Sequence, residues 1–360
     1  MIYRALGLMS GSSLDGLDLA FAEFQCEGQQ WQYRIEAADC YPYTPEWRER
    51  LRLATKLNAH EYLQLHVDYG HFLGQSVNCF IQEKQLDYRV GLIASHGHTT
   101  FHDPSAKLTA QLGDGAALAA ITRLPVITDL RSMDVALGGQ GAPIVPIGER
   151  LLFSQYEYFL NIGGIANLSI AIELYRAFDV CPANRVLNAL AETMGHSMDE
   201  DGAIARSGMM RQELLVQLNQ LDYYQRTGPK SLANEYGTEV ILPLLLNAGH
   251  SIPDLLATYT EHIAWQVAAS FKQANVQPGR LLTTGGGAFN KYLMERITDQ
   301  LQPMGIEPIV PEKELVQYKE ALIMAFIGVL RWRQENTVIA SVTGAITPSI
   351  GGAMWMGQEA

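Results

Sequence analysis

The sequence predicts an α/β protein of two related domains sharing a nucleotide cleft. Three observations carry that expectation. The chain has 360 residues, too many for one ordinary core. A strand–glycine loop–strand pattern stands near the start of each half, at 2–24 and again at 156–172. In each half that pattern gives way to long helical spacing and then to a short apolar strand, the alternation expected of α/β units.

In order along the chain, Ile2 to Met9 alternates as a strand, Leu17 to Phe24 as a second and Trp31 to Cys40 as a third, a hairpin arrangement. Thr44 to Lys84 is helical and opens Thr44-Pro-Glu, a cap residue followed by proline in the first turn. Arg89 to Ser95 is a buried strand ending in His96-Gly-His-Thr-Thr-Phe-His102. Gln111-Leu-Gly-Asp-Gly leads into an alanine-rich helix, and Leu124 to Asp129 is the last strand of the first half. Asp129 to Pro146 is rich in Gly and Pro and is the expected crossing between domains. The second half has strands at 156–160, 166–172 and 175–178, then helices to Gln273. A strand at 280–284 and the turn Gly285-Gly-Gly-Ala-Phe-Asn290 follow, with an apolar helix at 321–330. The domains are expected to be 1–128 with a tail of 338–360, and 129–337.

Composition excludes several function classes. With 48% hydrophobic and 18% charged residues the chain is globular, and its net charge of −12 disfavours nucleic acid and anionic membranes as partners. Local amides can still bind phosphate. Cys26, Cys40, Cys79 and Cys181 form no Cys-x-x-Cys pair, which fits a reducing cytoplasm. No amino-terminal basic-then-apolar stretch reads as a signal peptide, and the most apolar run, 321–330, is shorter than the ~20 residues of a membrane span.

The chemistry-bearing motifs are glycine loops and carboxylates. In Gly11-Ser12-Ser13-Leu14-Asp15-Gly16-Leu17-Asp18, glycines and hydroxyls can cradle phosphate. Asp15 and Asp18 would then act through Mg²⁺, Asp15 by way of water. The same residue types also make an ordinary hairpin turn. A second glycine loop holds Gly163 and Gly164, and a third holds Gly285, Gly286, Gly287 and Asn290. Neither a Walker loop nor a G-x-G-x-x-G fingerprint occurs. Asp179 ends a strand just before a helix expected near Pro182, so it is either a general base or a helix cap. His96, His98 and His102 lack a clear fourth ligand or an i,i+4 pair, which disfavours zinc and favours hydrogen bonding to a polar ligand. Arg131 and Asp134 are either substrate ligands or a surface ion pair. Glu320 is either a sugar-hydroxyl acceptor or a first-turn helix charge.

Taken in order, M-S-G-S-S-L-D-G-L-D, H-G-H-T, Q-L-G-D, G-G-Q-G-A-P, N-I-G-G-I-A-N, the Asp179 loop, G-P-K-S, G-G-G-A-F-N and K-E-A resemble the anhydro-N-acetylmuramic acid kinases of bacterial cell-wall recycling. The resemblance runs from Met9 to about Ala321. It implies an actin-like ATPase fold of two ribonuclease-H-like domains, with ATP and Mg²⁺ as cofactors, an amino sugar as substrate and a homodimer as the typical assembly. It implies that Asp179 deprotonates the attacking water, that Gly11 to Asp18 meets phosphate and that Gly285 to Gly287 lies on the adenosine side. His96, Gln111, Asp114, Arg131, Asp134 and Glu320 are the expected substrate ligands. The chain departs from the family pattern at Cys181, where a glycine is usual beside phosphate, at His98, where glutamine is usual, and at Leu130, where phenylalanine is usual.

Overall fold

Alternation in the first forty residues produces a three-stranded antiparallel meander: β1 (Ile2–Ser10), β2 (Gly16–Glu27) and β3 (Gln30–Pro42). A computed structural model describes residues 1–11, 14–28, 30–172, 175–226, 230–233 and 235–357. The described chain divides into two compact units, Met1–Ser154 with Tyr318–Ala360, and Gln155–Gln317.

In the first unit β4 (Leu92–Ser95) lies parallel to β1. A separate hairpin, β5 (His98–Asp103) with β6 (Leu108–Leu112), follows. Next, β7 (Val126–Thr128) is parallel to β4. In the second unit β8 (Tyr158–Ile162), β9 (Ile165–Ile170) and β10 (Arg176–Pro182) form another antiparallel meander. β11 (Gly279–Thr284) and β12 (Ile306–Ile309) extend it in parallel. Finally, β13 (Ala353–Trp355) returns to pair antiparallel with β7 in the first unit.

The sheet orders are therefore β13-β7-β4-β1-β2-β3 and β10-β9-β8-β11-β12. Without β13 both read third-second-first-fourth-fifth, with the first three strands antiparallel and the last two parallel. This is the strand order of a ribonuclease-H-like domain, present twice, as the repeated strand–glycine loop–strand pattern anticipated.

Packing follows from the sequence. The helix Ala59–Glu83 starts at a capping box, with Asn58 and Glu61 bonding reciprocally. Its Leu65, Tyr69, Leu73, Val77 and Phe80 recur every three or four residues and enter the core with Leu6, Leu8 and Phe21. The other side of β1 meets the helix Lys313–Trp332 so closely that Gly7 touches its main chain. A Cβ on Gly7 would overlap the Ala321 carbonyl oxygen and stand 2.6 Å from the Ala325 nitrogen. Backbone on both sides cannot yield, so Gly7→Ala is expected to destabilise the first unit by about 3 kcal/mol or more, read as a lower urea midpoint for that unit. The second unit is organised on the helix Ile252–Ala274, whose Leu255, Leu256, Tyr259, Ile263, Val267 and Phe271 join the core of β8, β9 and β11.

The boundaries differ from those expected at 128/129 and 337/338. Residues 129–154 stay with the first unit because Asp134 ties their loop to Thr343, and Gln140 donates its N–H to the Thr343 carbonyl. Residues 318–337 stay there because their helix lies under β1. The helix carries a non-helical residue, Tyr318, at the point of division. The expected loop at 129–146 also contains a short helix, Ser132–Ala136. Among the described residues, no helix is long and apolar enough to cross a membrane.

Candidate active site

In the second unit, register brings two of the three glycine loops together. β8 and β11 are parallel with Asn161 opposite Thr284, so the loops leaving both strands emerge at one end of the sheet. Gly285 has φ +82°, and a Cβ there would overlap the Asn161 side chain and stand 2.7 Å from the Ile162 carbonyl oxygen. A Cβ on Gly287 would overlap the Ile162 side chain, whereas Gly286 faces open space apart from Asn184 Nδ2 at 3.6 Å. The turn is thus flattened against the end of β8 by its first and third glycines, and the middle one is free to meet a ligand face.

The Gly163-Gly164 tip is fixed from the other direction. Ala183 N–H donates to Gly164 O at 2.8 Å, Asn184 N–H to Gly163 O at 3.1 Å, and Asn184 Nδ2 to Ile162 O at 3.1 Å. Gly163 N–H is spent on Ile165 O at 3.2 Å, leaving Gly164 N–H as the tip donor not used in these bonds. Asn290 turns out to spend its carboxamide oxygen capping the helix Lys291–Leu301 through Leu293 N–H at 2.9 Å. That cap uses the oxygen alone, so the nucleotide contact expected of Asn290 would fall to its Nδ2.

Asp179 lies inside β10, not at its end. The strand runs on to Pro182, and the helix Asn184–Glu192 begins after Ala183, so the helix-cap reading does not hold. β10 is the edge strand of its sheet, where a terminal proline is tolerated. Its register against β9 shifts between Asp179 and Cys181. That bulge lets consecutive residues re-aim. Asn167 Nδ2 donates to one oxygen of Asp179, and Leu232 N–H donates to the other at 2.8 Å. Burial pushes this carboxyl up, while these two donors pull it down. Cys181 turns fully into the core, so its side chain does not occupy the space of a phosphate.

The first unit carries the remaining residues. Ser12 and Ser13 of the first glycine loop lie outside the described residues. Gly11 O accepts from Leu14 N–H at 3.4 Å, and Leu14 takes φ +57°. Gly16, Leu17 and Asp18 belong to β2. Leu17 is buried in the core, and a Cβ on Gly16 would press Cys40 Sγ and Tyr41 O, both at 2.7 Å. The loop proper therefore ends at Asp15, and the side chain of Leu17 is removed from any nucleotide contact. Burial raises the Asp18 carboxyl, and Glu320 and Asp15 push it the same way.

The three histidines are dispersed into separate hydrogen bonds. His96 Nε2 accepts from Arg131 Nε at 2.8 Å, so its Nδ1 carries the proton and donates to Gly97 O at 2.9 Å. Burial first, then the Arg131 charge, depress its basicity to about 3. His98 Nδ1 meets Ser10 Oγ at 3.0 Å, and burial lowers His98 to about 4. His102 pairs with Thr109 Oγ1 at 3.1 Å. Both buried rings are neutral at physiological pH.

Arg131 also donates to Gly141 O at 2.6 Å, and its basicity falls to about 10 through burial. Glu320 is raised by burial and held back by Lys319 and Arg131. Asp134 is buried with its oxygens committed to Thr343 Oγ1 and Gly141 N–H, both at 2.7 Å. It shapes the loop and is not presented to a substrate. Asp114 caps the helix Gly115–Thr122 through Ala117 N–H at 2.6 Å, yet still lines a cavity of about 320 Å³ with His66, His96, Gln111, Asp129 and Trp355. Gln111 Oε1 is buried without a hydrogen-bond partner. A buried acceptor left open in a cavity wall suits a donor brought by a ligand.

Two features escaped sequence reasoning. Tyr69, Tyr43, Ser10 and His98 form a buried hydrogen-bond chain reaching the foot of the first loop, with Tyr43–Tyr69 at 2.5 Å and Tyr43–Ser10 at 2.8 Å. No spacing pattern foretells it, because its members come from four elements. Asn167 had only a faint signal: it is a polar residue in the strand expected to pair with that of Asp179, and the observed register sets the two opposite each other.

Comparison with known proteins agrees with the motif order. The anhydro-N-acetylmuramic acid kinase family model matches residues 3–357. The anhydro-N-acetylmuramic acid kinase of Aliivibrio fischeri is 35% identical, covering 95% of this chain and 96% of its own. That of Paramagnetospirillum magneticum is 34% identical over 97% and 98%, and that of Vibrio vulnificus 31% over 94% and 95%. On the span of that match and the shared length of these relatives, this chain belongs to the anhydro-N-acetylmuramic acid kinase family.

Proposed function

We propose that the chain is a cytoplasmic ATP-dependent kinase that opens 1,6-anhydro-N-acetylmuramic acid with water. It then phosphorylates the freed 6-hydroxyl, giving N-acetylmuramic acid 6-phosphate in cell-wall recycling. The observation that carries this reading is Asp179: a part-buried carboxylate with a fixed donor on each oxygen, four residues before Ala183, which with Asn184 braces the Gly163-Gly164 tip. Asp179 takes a proton from water as the water oxygen attacks the anomeric carbon. The bond from that carbon to O6 breaks with its electron pair going to O6. O6 then bonds the γ-phosphorus, and ADP leaves with the electrons of the β–γ bridge.

ATP fits the glycine turns, because Gly286 is open while Gly285 and Gly287 allow the main chain to lie flat. Mg²⁺ carried by ATP supplies charge neutralisation on the phosphates. Among the described residues no group of three or more His, Cys, Asp or Glu is arranged to hold a metal. The proposed place for the ion is on phosphate oxygens and water, with Asp15 and Asp18 as outer partners. Gln111 and Arg131 are the polar groups proposed for the sugar, with His96 holding Arg131 in place through its Nε2 and Glu320 as a hydroxyl acceptor. The three departures from the family pattern are compatible with the same substrate: His98 is turned to Ser10, Cys181 is turned into the core and Leu130 is buried.

The test is incubation with Mg-ATP and a panel of amino sugars, following ADP release and product mass. Sugar-dependent ADP with a 6-phosphate product from 1,6-anhydro-N-acetylmuramic acid is expected. Turnover with a different sugar alone rejects the assignment of substrate. ATP binding with no phosphorylated product makes the chain a nucleotide-binding sensor.

A further inference from the structure

We propose that Asn167 is the positioning residue of Asp179, fixing its carboxylate from across the β9–β10 hairpin while the Lys230–Leu232 segment holds the same residue from the free edge of the sheet. The inference rests on Asp179 being the base. Asn167 and Asp179 are direct cross-strand partners, so their side chains rise from one face at the closest approach an antiparallel pair permits. A carboxylate only accepts, so the Asn167 amide must turn its Nδ2 toward it.

On the other side β10 has no strand neighbour among the described residues, and the chain at 230–232 docks there. Asp179 N–H donates to Lys230 O at 2.9 Å, as in an ordinary ladder. The return bond departs from a ladder: Leu232 N–H goes to Asp179 Oδ2, and the Asp179 carbonyl accepts from Tyr223 Oη at 2.7 Å instead. Every polar group of Asp179 thus has a partner, and three elements supply them. Such a carboxylate has one rotamer and one lone-pair direction per oxygen left for a substrate proton. A catalytic group held this way avoids the loss that small misplacements cause.

The charged and titratable groups facing Asp179 are few. Lys230 and Tyr223 come from the docked segment and its neighbouring short helix, with Arg226 beside them, and Cys181 follows on the same strand. Burial pushes the Tyr223 hydroxyl and the Cys181 thiol up, so both stay neutral. Of the groups that lower Asp179 directly, the Leu232 amide is main chain and Asn167 is the side chain open to substitution.

The base works ionised, so activity falls as pH drops through its titration, and losing a donor moves that fall to higher pH. Asn167→Ala is expected to lower kcat about 10–100-fold, with KM for ATP nearly unchanged. The acid limb of kcat/KM should move up by about one pH unit. Asn167→Ser, which keeps a short donor, should recover part of both. An Asn167→Ala enzyme that melts as the parent does and keeps its acid limb and kcat overturns the proposal. If that variant fails to fold, the isosteric Asn167→Asp decides: two facing carboxylates must shift the limb further upward, and an unmoved limb is equally fatal. Asp179→Asn separates the two levels. Activity retained in that variant removes the base itself, whereas its loss beside an indifferent Asn167→Ala removes only the positioning.

Discussion

Asp179→Asn is expected to lower turnover by at least about 10³-fold while ATP binding and the melting temperature stay close to those of the parent. The amide is isosteric, and it can still accept from Asn167 or from Leu232 N–H, the two donors that meet the carboxylate. It cannot accept a proton from water. The attacking oxygen would then carry developing positive charge, and O6 would leave an anomeric centre with no nucleophile to trap it. Because the turn at Gly285 to Gly287, proposed here for adenosine, is built from different residues, nucleotide titration by fluorescence or calorimetry should be unaffected. Single-turnover assays with radiolabelled ATP give the rate. Transfer within tenfold of the parent would take Asp179 out of the mechanism.

The second large effect is on stability. Lys319 and Glu149 form an ion pair at 2.9 Å, with side chains only 5% and 4% exposed. Removing one partner of such a pair leaves an uncompensated buried charge, so Lys319→Met is expected to destabilise the first unit by about 3–5 kcal/mol. Replacing both with methionine should cost much less than twice that, because neither charge then needs a partner. Urea titrations of the two single variants and the double variant measure this; a double variant that costs the sum of the two singles would mean that the pair is not the source. Lys319 also holds the neighbouring Glu320 carboxyl down against burial. The single variant should therefore weaken sugar-dependent turnover in addition to folding, if Glu320 accepts a sugar hydroxyl.

Much of this was readable before any coordinates. The duplicated meander shows because alternation, glycine tips and strand-length apolar runs are local signals, and Leu6, Leu8, Phe21 and Ile93 reach the core as their pattern demands. The harder residues are those whose meaning depends on distant partners. Asp114 and Asn290 sit just before helices and Asp134 lies in a short helix, and at each a polar side chain can either serve a ligand or satisfy neighbouring groups. Asp114 and Asn290 cap helices and Asp134 closes a loop, which only the hydrogen bonds decide. Asp179 stands out in the sequence, but its setting inside β10 does not, because a bulge changes register without leaving a compositional mark. The unit boundaries at Ser154 and Tyr318 were hidden for the same reason: Thr343 and Ala321 are far along the chain from Asp134 and Gly7.

The discontinuity of the first unit has a consequence for biosynthesis. As the polypeptide leaves the ribosome, everything the second unit needs has been made once Gln317 appears, so it can finish folding as a continuous stretch. The earlier-made half of the protein must wait: Gly7 has no helix to lie against and β7 no outer neighbour until the segment from Tyr318 onward is released. Nascent chains stalled before that point would hold β1 with one apolar face uncovered, the condition under which chaperones bind. Ribosome-bound intermediates of this protein should accordingly be protected from proteolysis first in their later-synthesised middle and last at their amino terminus.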